Sequence, residues 1–113
     1  MVQKLKLSYN LWLQCVPHIP KTHRYTFGGK VDAIFLEALE YIFRAQYTKS
    51  EQKIAYLTAT VGKVDIIKFF LQLGWENKLI DHKKYSTLSM ELNETGRMLG
   101  GWKKGLETKL PPK

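Results

Sequence analysis

Acidic residues are scarce in this chain: 10 Asp and Glu stand against 18 Lys and Arg in 113 residues, a formal net charge of +8. A surplus of this size points to an anionic partner, whether nucleic acid, an acidic protein face or a membrane surface; solubility alone is the plainer alternative. Cysteine is nearly absent, with Cys15 alone. That excludes a disulfide framework within one chain and fits a reducing, cytoplasmic compartment. Cys15 lies in an apolar stretch with no base beside it, so it reads as a buried, inert thiol. Long apolar runs are also missing. Leu11–Val16 is too short for a secretory core and is broken by Gln14, and nothing approaches the ~18 residues needed to span a bilayer. No segment alternates polar and apolar with turn signals, so no sheet is expected.

Chemical motifs are missing too. There is no Cys-x-x-Cys, no phosphate-binding loop and no dinucleotide fingerprint; Gly28-Gly29-Lys30 is too short to cradle a phosphate. Glu37 and Glu40, and Glu91 and Glu94, have a spacing seen in bundle metal sites, but no histidine completes either pair. His18, His23 and His82 fall at turns or helix starts. Neither a metal, a cofactor nor an enzyme activity is expected.

Helical periodicity is what the sequence does contain. Leu5, Tyr9, Trp12 and Val16 share one face of a first helix, which Pro17 and Pro20 end. Thr22 is a candidate N-cap for a second helix. Its stripe is Phe27, Val31, Ile34, Ala38 and Ile42, widened by Phe35, Leu39 and Phe43. Gly28 and Gly29 near its start imply a later beginning or a close backbone neighbour. Thr48 and Glu51 form a capping box for a third helix. Asp81 caps a fourth, whose seam is Tyr85, Leu88, Leu92, Thr95, Leu99 and Trp102. Gly96 and Gly100 on one face predict a closely packed neighbour. The expected spans are about 4–17, 23–46, 49–76 and 82–106, followed by a polar tail with Pro111 and Pro112. The fold class is all-α: one domain, an antiparallel up-down four-helix bundle.

The third helix carries more apolar surface than one bundle face can hide. Val64, Ile66, Ile67, Phe69, Phe70, Leu71 and Leu73 crowd its second half. One side then serves the chain's own core, while Ile66, Phe69, Phe70 and Leu73 are expected to meet another copy; the plainer alternative is a central helix surrounded by its own chain, though no helix of a four-helix bundle is central. Around this framework the cations Lys21, Arg24, Lys30, Lys63, Lys68, Arg97, Lys103 and Lys104 are the candidate contacts to nucleic acid or a protein partner. Lys68, set within Ile66-Ile67-Lys68-Phe69-Phe70, must snorkel, pair with an acid such as Asp65, or line a polar cavity.

Four segments together resemble a known family: Ile19-Pro20-Lys21-Thr22-His23, Phe35-Leu36-Glu37-Ala38-Leu39, Ile67-Lys68-Phe69-Phe70-Leu71, and Glu94-Thr95-Gly96-Arg97-Met98-Leu99-Gly100-Gly101-Trp102. They are similar to the accessory variability determinant (Avd) proteins of diversity-generating retroelements, and to the four-helix-bundle proteins encoded in ribosomal RNA intervening sequences. The resemblance spans residues 5 to 105 and is most specific from Gly96 to Trp102. It implies a homopentameric barrel with a central channel and a basic surface. It further implies association with a reverse transcriptase and with template RNA and cDNA during mutagenic cDNA synthesis, and no catalytic residues. Lys68 and Arg97 match basic positions of that family; where it has a further arginine one turn after the first, this chain has Gln72, with Lys63 on the same helix. The intervening-sequence relatives imply the alternative, an interaction bundle with no nucleic-acid role.

Overall fold

The computed structural model describes residues 2–109, so the expected tail at Pro111 and Pro112 lies outside the described residues. Helix α1 is Val2–Cys15, followed by a 3-10 turn at Val16–His18. Helix α2 enters at Lys21–His23, passes through a π turn at Arg24–Gly28 and continues as Gly29–Gln46. Helices α3 and α4 are Ser50–Glu76 and His82–Lys109. No strand occurs among the described residues, and none of the described helices is long and apolar enough to cross a membrane. Short connections force successive helices to run antiparallel, and the chain forms a rod of 51 × 22 × 21 Å. Helix α2 packs on α3, α3 on α4, and α1 lies against both α4 and α2. All-helical architecture compatible with a four-helix bundle is therefore present.

Each helix turns most of its expected stripe inward; the exception is Phe43 of α2, which is 54% exposed. Leu5 and Trp12 of α1 are buried, with Tyr9 and Val16 packed at the edge. In α2 the buried residues are Val31, Ile34, Phe35, Ala38, Ile42 and Ala45. Helix α3 buries Leu57, Thr60, Val64, Ile67 and Leu71, at alternating steps of three and four. Leu88, Leu92, Thr95 and Leu99 complete the interior from α4. The threonines cost little inside because each hydroxyl donates to the carbonyl one turn back: Thr60 to Tyr56 and Thr95 to Glu91, both at 2.8 Å. Cys15 is buried, and burial pushes its thiol above the usual range despite the opposing pull of Lys84.

At 14 residues, α1 is about half the length of α3 and α4. Its side chains reach Phe27, Asp32 and Phe35 of α2 and Glu91 of α4. Beyond these contacts, the last turns of α2, the first half of α3 and the last part of α4 form a three-helix section. There, Lys53 of α3 stands 5.8 Å over the Trp102 ring of α4, a cation–π contact that ties the two helices near their ends.

Several local expectations are corrected. Thr22 is not the N-cap of α2; Pro20 occupies that position and the Thr22 hydroxyl lies 3.0 Å from His23 Nδ1. The helix neither starts after Gly28-Gly29 nor meets a close backbone there. It runs through both residues by way of the π turn, and only Ile19 Cδ1 and the His23 carbonyl approach Gly28. Thr48 does not form a capping box: its hydroxyl donates back to the Arg44 carbonyl, and the N-cap of α3 is Lys49, without a side-chain cap bond. Asp81 does cap α4, accepting the Lys84 N–H at Oδ1 (2.8 Å). A Cβ at Gly100 would meet nothing within 4 Å and one at Gly96 only Val64, so packing within the chain does not require either glycine. The demanding glycine is Gly74, where a Cβ would come 2.5 Å from Phe27 Cζ.

Candidate nucleic-acid and partner interface

The cations that the sequence singles out divide into three kinds. Lys63, Lys68, Arg97 and Lys103 each sit opposite a carboxylate: Glu37 at 2.7 Å, Asp65 at 3.6 Å, Glu94 at 2.6 Å and Glu107 at 3.9 Å. Arg24 is a clamp on the first connection, donating from Nη2 to the Pro17 and Ile19 carbonyls at 3.1 and 3.0 Å. Lys21, Lys30 and Lys104 are exposed and have no carboxylate within ion-pair distance among the described residues. Glu37 is held below the usual carboxylate range chiefly by its hydrogen bond from Lys63, with Lys30 adding a smaller pull. Arg97 holds Glu94 low in the same way, by a two-oxygen contact from one guanidinium nitrogen. Surface pairs of this kind contribute little to stability. Their electrostatic effect is to reduce the free charge presented by Lys63, Lys68, Arg97 and Lys103.

The eight cations do not form a single cluster. Lys21 and Arg24 lie at the end where α2 begins. Lys63 bridges α3 to α2, with Lys30 nearby. Lys68 lines an open cavity of about 380 Å³ between α3 and α4, with Asp65, Gln72, Tyr85, Ser89 and Asn93. This is the outcome in which Lys68 both pairs with Asp65 and faces a polar hollow. Arg97 follows Asn93 by one helical turn, so it continues the α4 side of that same face. Lys103 and Lys104 lie farther along α4. Glu37, Glu40, Glu91 and Glu94 each face a cation, and no set of three His, Cys, Asp or Glu side chains gathers around a metal position among the described residues.

Helix α3 is apolar on two sides. Opposite its buried stripe, Ile66, Phe69 and Leu73 are 43%, 61% and 39% exposed. Phe70 differs from them: it is half-buried and packs against the chain's own core, its ring in edge contact with Phe69 at 5.5 Å. Three large side chains at steps of three and four make a continuous apolar strip, more than scattered surface residues would give.

Two features were outside the reach of periodicity. Lys78, in the α3–α4 connection, is exposed and adopts a left-handed backbone at φ 61°. His18, His82 and the Trp75 ring meet at the end of the rod that holds both this connection and the α1–α2 connection. An antiparallel topology dictates that convergence, but the linear sequence does not display it.

The fold and its surface define a class: an all-helical bundle bearing a surplus of cations and an exposed apolar strip. A family model described as bAvd-like matches residues 1–106, and the chain belongs to that family. No curated protein and no solved structure matches the chain.

Proposed function

We propose that this protein is a non-catalytic accessory subunit of a diversity-generating retroelement. In this reading it binds the element's reverse transcriptase, template RNA and cDNA through its basic surface and acts as a homo-oligomer, a pentamer by the resemblance. Membership of the bAvd-like family over residues 1–106 carries the reading. The +8 charge supports a polyanionic partner, and the strip of Ile66, Phe69 and Leu73 supports self-association. Phe70 contributes there from the edge, through its contact with Phe69.

The internal pairing of Lys68, Arg97 and Lys103 favours a second reading, an interaction bundle without a nucleic-acid role. Co-purification with the reverse transcriptase, template RNA binding over a salt series, and oligomer mass by ultracentrifugation separate the two. The first reading expects an oligomer that retains the polymerase and loses RNA steeply as salt rises. In it, Lys68→Glu with Arg97→Glu weakens both associations while leaving the mass unchanged, and Phe69→Glu lowers the mass. A monomer that ignores RNA and polymerase at low salt overturns the reading.

A further inference from the structure

The α3–α4 connection and the 3-10 turn after α1 enclose an open hollow at one end of the rod, of about 380 Å³. Its volume falls in the ~300–1,000 Å³ range of small-ligand sites. Trp75, Lys78, His18 and His82 all line it. Trp75 is 38% exposed and its ring is held in place, stacked on Tyr85 at 4.9 Å and 6° and flanked by His82 at 5.8 Å. A preset aromatic plane of this kind binds another planar ring without first losing side-chain freedom. The one acid in the lining, Asp81, is already engaged by the Lys84 backbone N–H and ammonium at 2.8 and 3.3 Å. Lys78 has no carboxylate partner among the described residues and occupies a left-handed backbone position, which glycine fills at lower cost. That backbone is the left-handed turn that closes α3, with the Leu79 N–H on the Gly74 carbonyl at 2.8 Å and the Lys78 N–H on the Trp75 carbonyl at 3.1 Å, and it sets the exposed Lys78 in the lining of the hollow.

We propose that this hollow takes one nucleotide of a single-stranded polynucleotide, its base against Trp75 and its phosphate among Lys78, His18 and His82. The chemistry selects a single strand because a duplex keeps its bases stacked on one another, out of reach of an aromatic side chain. An acidic peptide would satisfy Lys78 but leave the aromatic plane unused. The inference rests on the nucleic-acid part of the reading above and assigns it a place distinct from Lys68 and Arg97.

Fluorescence anisotropy of a short labelled single-stranded RNA or DNA on the full-length protein tests the assignment, with the matching duplex as competitor. Wild type is expected to prefer the single strand. Trp75→Ala is expected to weaken it about ten-fold or more, the usual effect of removing one stacking partner, while Trp75→Phe retains most of the affinity. Lys78→Glu weakens binding, and its exposed position keeps that test independent of folding; circular dichroism checks Trp75→Ala. If wild type binds and neither Trp75→Ala nor Lys78→Glu changes affinity, the hollow is not the site and the broader electrostatic reading stands. If wild type binds no polynucleotide at low salt, both fall. Variants that keep the oligonucleotide but lose the polymerase overturn the assignment in favour of a protein contact.

Discussion

Where α1 lies between α2 and α4, the interior is wide and holds large rings; where α1 is absent, three helices close on aliphatic side chains. Trp12 and Phe35 are fully buried in the first region and stack at 6.2 Å, with Phe27 at the edge of Trp12. The second region buries Ala45, Ile42, Leu57 and Leu99, with Tyr56 and Trp102 packed only at its edge. Four helices around an axis leave a broad channel, whereas three leave almost none, so close packing demands different volumes at the two ends. The lesson is one of dependence: the three-helix section has a core of its own, while the four-helix section needs α1 in place.

Trp12→Ala breaks this comparison most directly. It removes the largest buried side chain and the Nε1–H donor, 3.3 Å from Asp32 Oδ1. A cost of about 3–5 kcal/mol is expected in urea unfolding. Hydrogen exchange is expected to show α1 amides losing protection while those around Ile42, Leu57 and Leu99 retain theirs. Equal loss everywhere would mean that the two regions fold as one unit. Asp32→Ala acts on the same region more gently. It leaves both the Tyr9 hydroxyl and the Trp12 Nε1–H, otherwise 2.9 and 3.3 Å from Asp32 Oδ1, without their acceptor, at a cost of about 1–3 kcal/mol. Burial and that hydrogen bond raise the Tyr9 phenol above its ordinary range, and the spectrophotometric titration of Tyr9 is expected to move back down in Asp32→Ala.

A pair of glycines sharpens the contrast. In Gly74→Ala the new methyl meets Phe27 Cζ at 2.5 Å and Ile80 Cδ1 at 3.1 Å, so the ring must shift, at about 1–3 kcal/mol by thermal unfolding. Gly100→Ala meets nothing within 4 Å and replaces a poor helix former on an exposed turn, a gain of about 0.5–1 kcal/mol. Should Gly100→Ala destabilise the assembled protein, a neighbouring copy passes close to that turn, as the paired glycines first suggested.

Acid tests the charged surface. Asp81 is held low first by the Lys84 N–H, Glu37 by Lys63 and Glu94 by Arg97. Because all three titrate lower in the folded chain than in the unfolded one, their stabilisation is complete above about pH 5 and fades as pH falls through the lowered values. Through these three carboxylates the Tm is expected to decline below that point, while the raised Cys15 thiol and Tyr9 phenol lower it only on the alkaline side. In Lys63→Gln the decline loses the Glu37 share, leaving a shallower acid limb.

How much of this was legible in the sequence depends on whether the deciding contact was local. Leu88, Leu92, Thr95 and Leu99 fell inward as their spacing required, because a helix face is set by residues three and four apart. Phe43, counted in the α2 stripe, is 54% exposed against Tyr47: α1 ends before reaching it, and the length of a neighbouring helix is not written in α2. The candidate cations were legible as charges but not as pairs, since Lys63 meets Glu37 across two helices. Lys78 and Trp75 carry no signal in the linear sequence, because their meeting with His18 depends on where two connections converge.

The smallest expected effect bears on that same distinction. Thr48 and Asp81 have equal claims in sequence to cap the helices that follow them. Asp81 reaches the Lys84 N–H, whereas Thr48 turns back to the Arg44 carbonyl and helps to close α2. Asp81→Ala is therefore expected to lower Tm measurably and to fray the first turn of α4 in hydrogen exchange. Thr48→Ala is expected to change stability by no more than about 0.5 kcal/mol and to leave the first amides of α3 exchanging as before. The difference arises at the end of the preceding helix. Tyr47 already closes α2 with its N–H on the Arg44 carbonyl at 3.1 Å, so the Thr48 hydroxyl adds a second donor to an acceptor that is already satisfied. Faster exchange at the start of α3 in Thr48→Ala would return Thr48 to the capping role and place the two helix starts on the same footing.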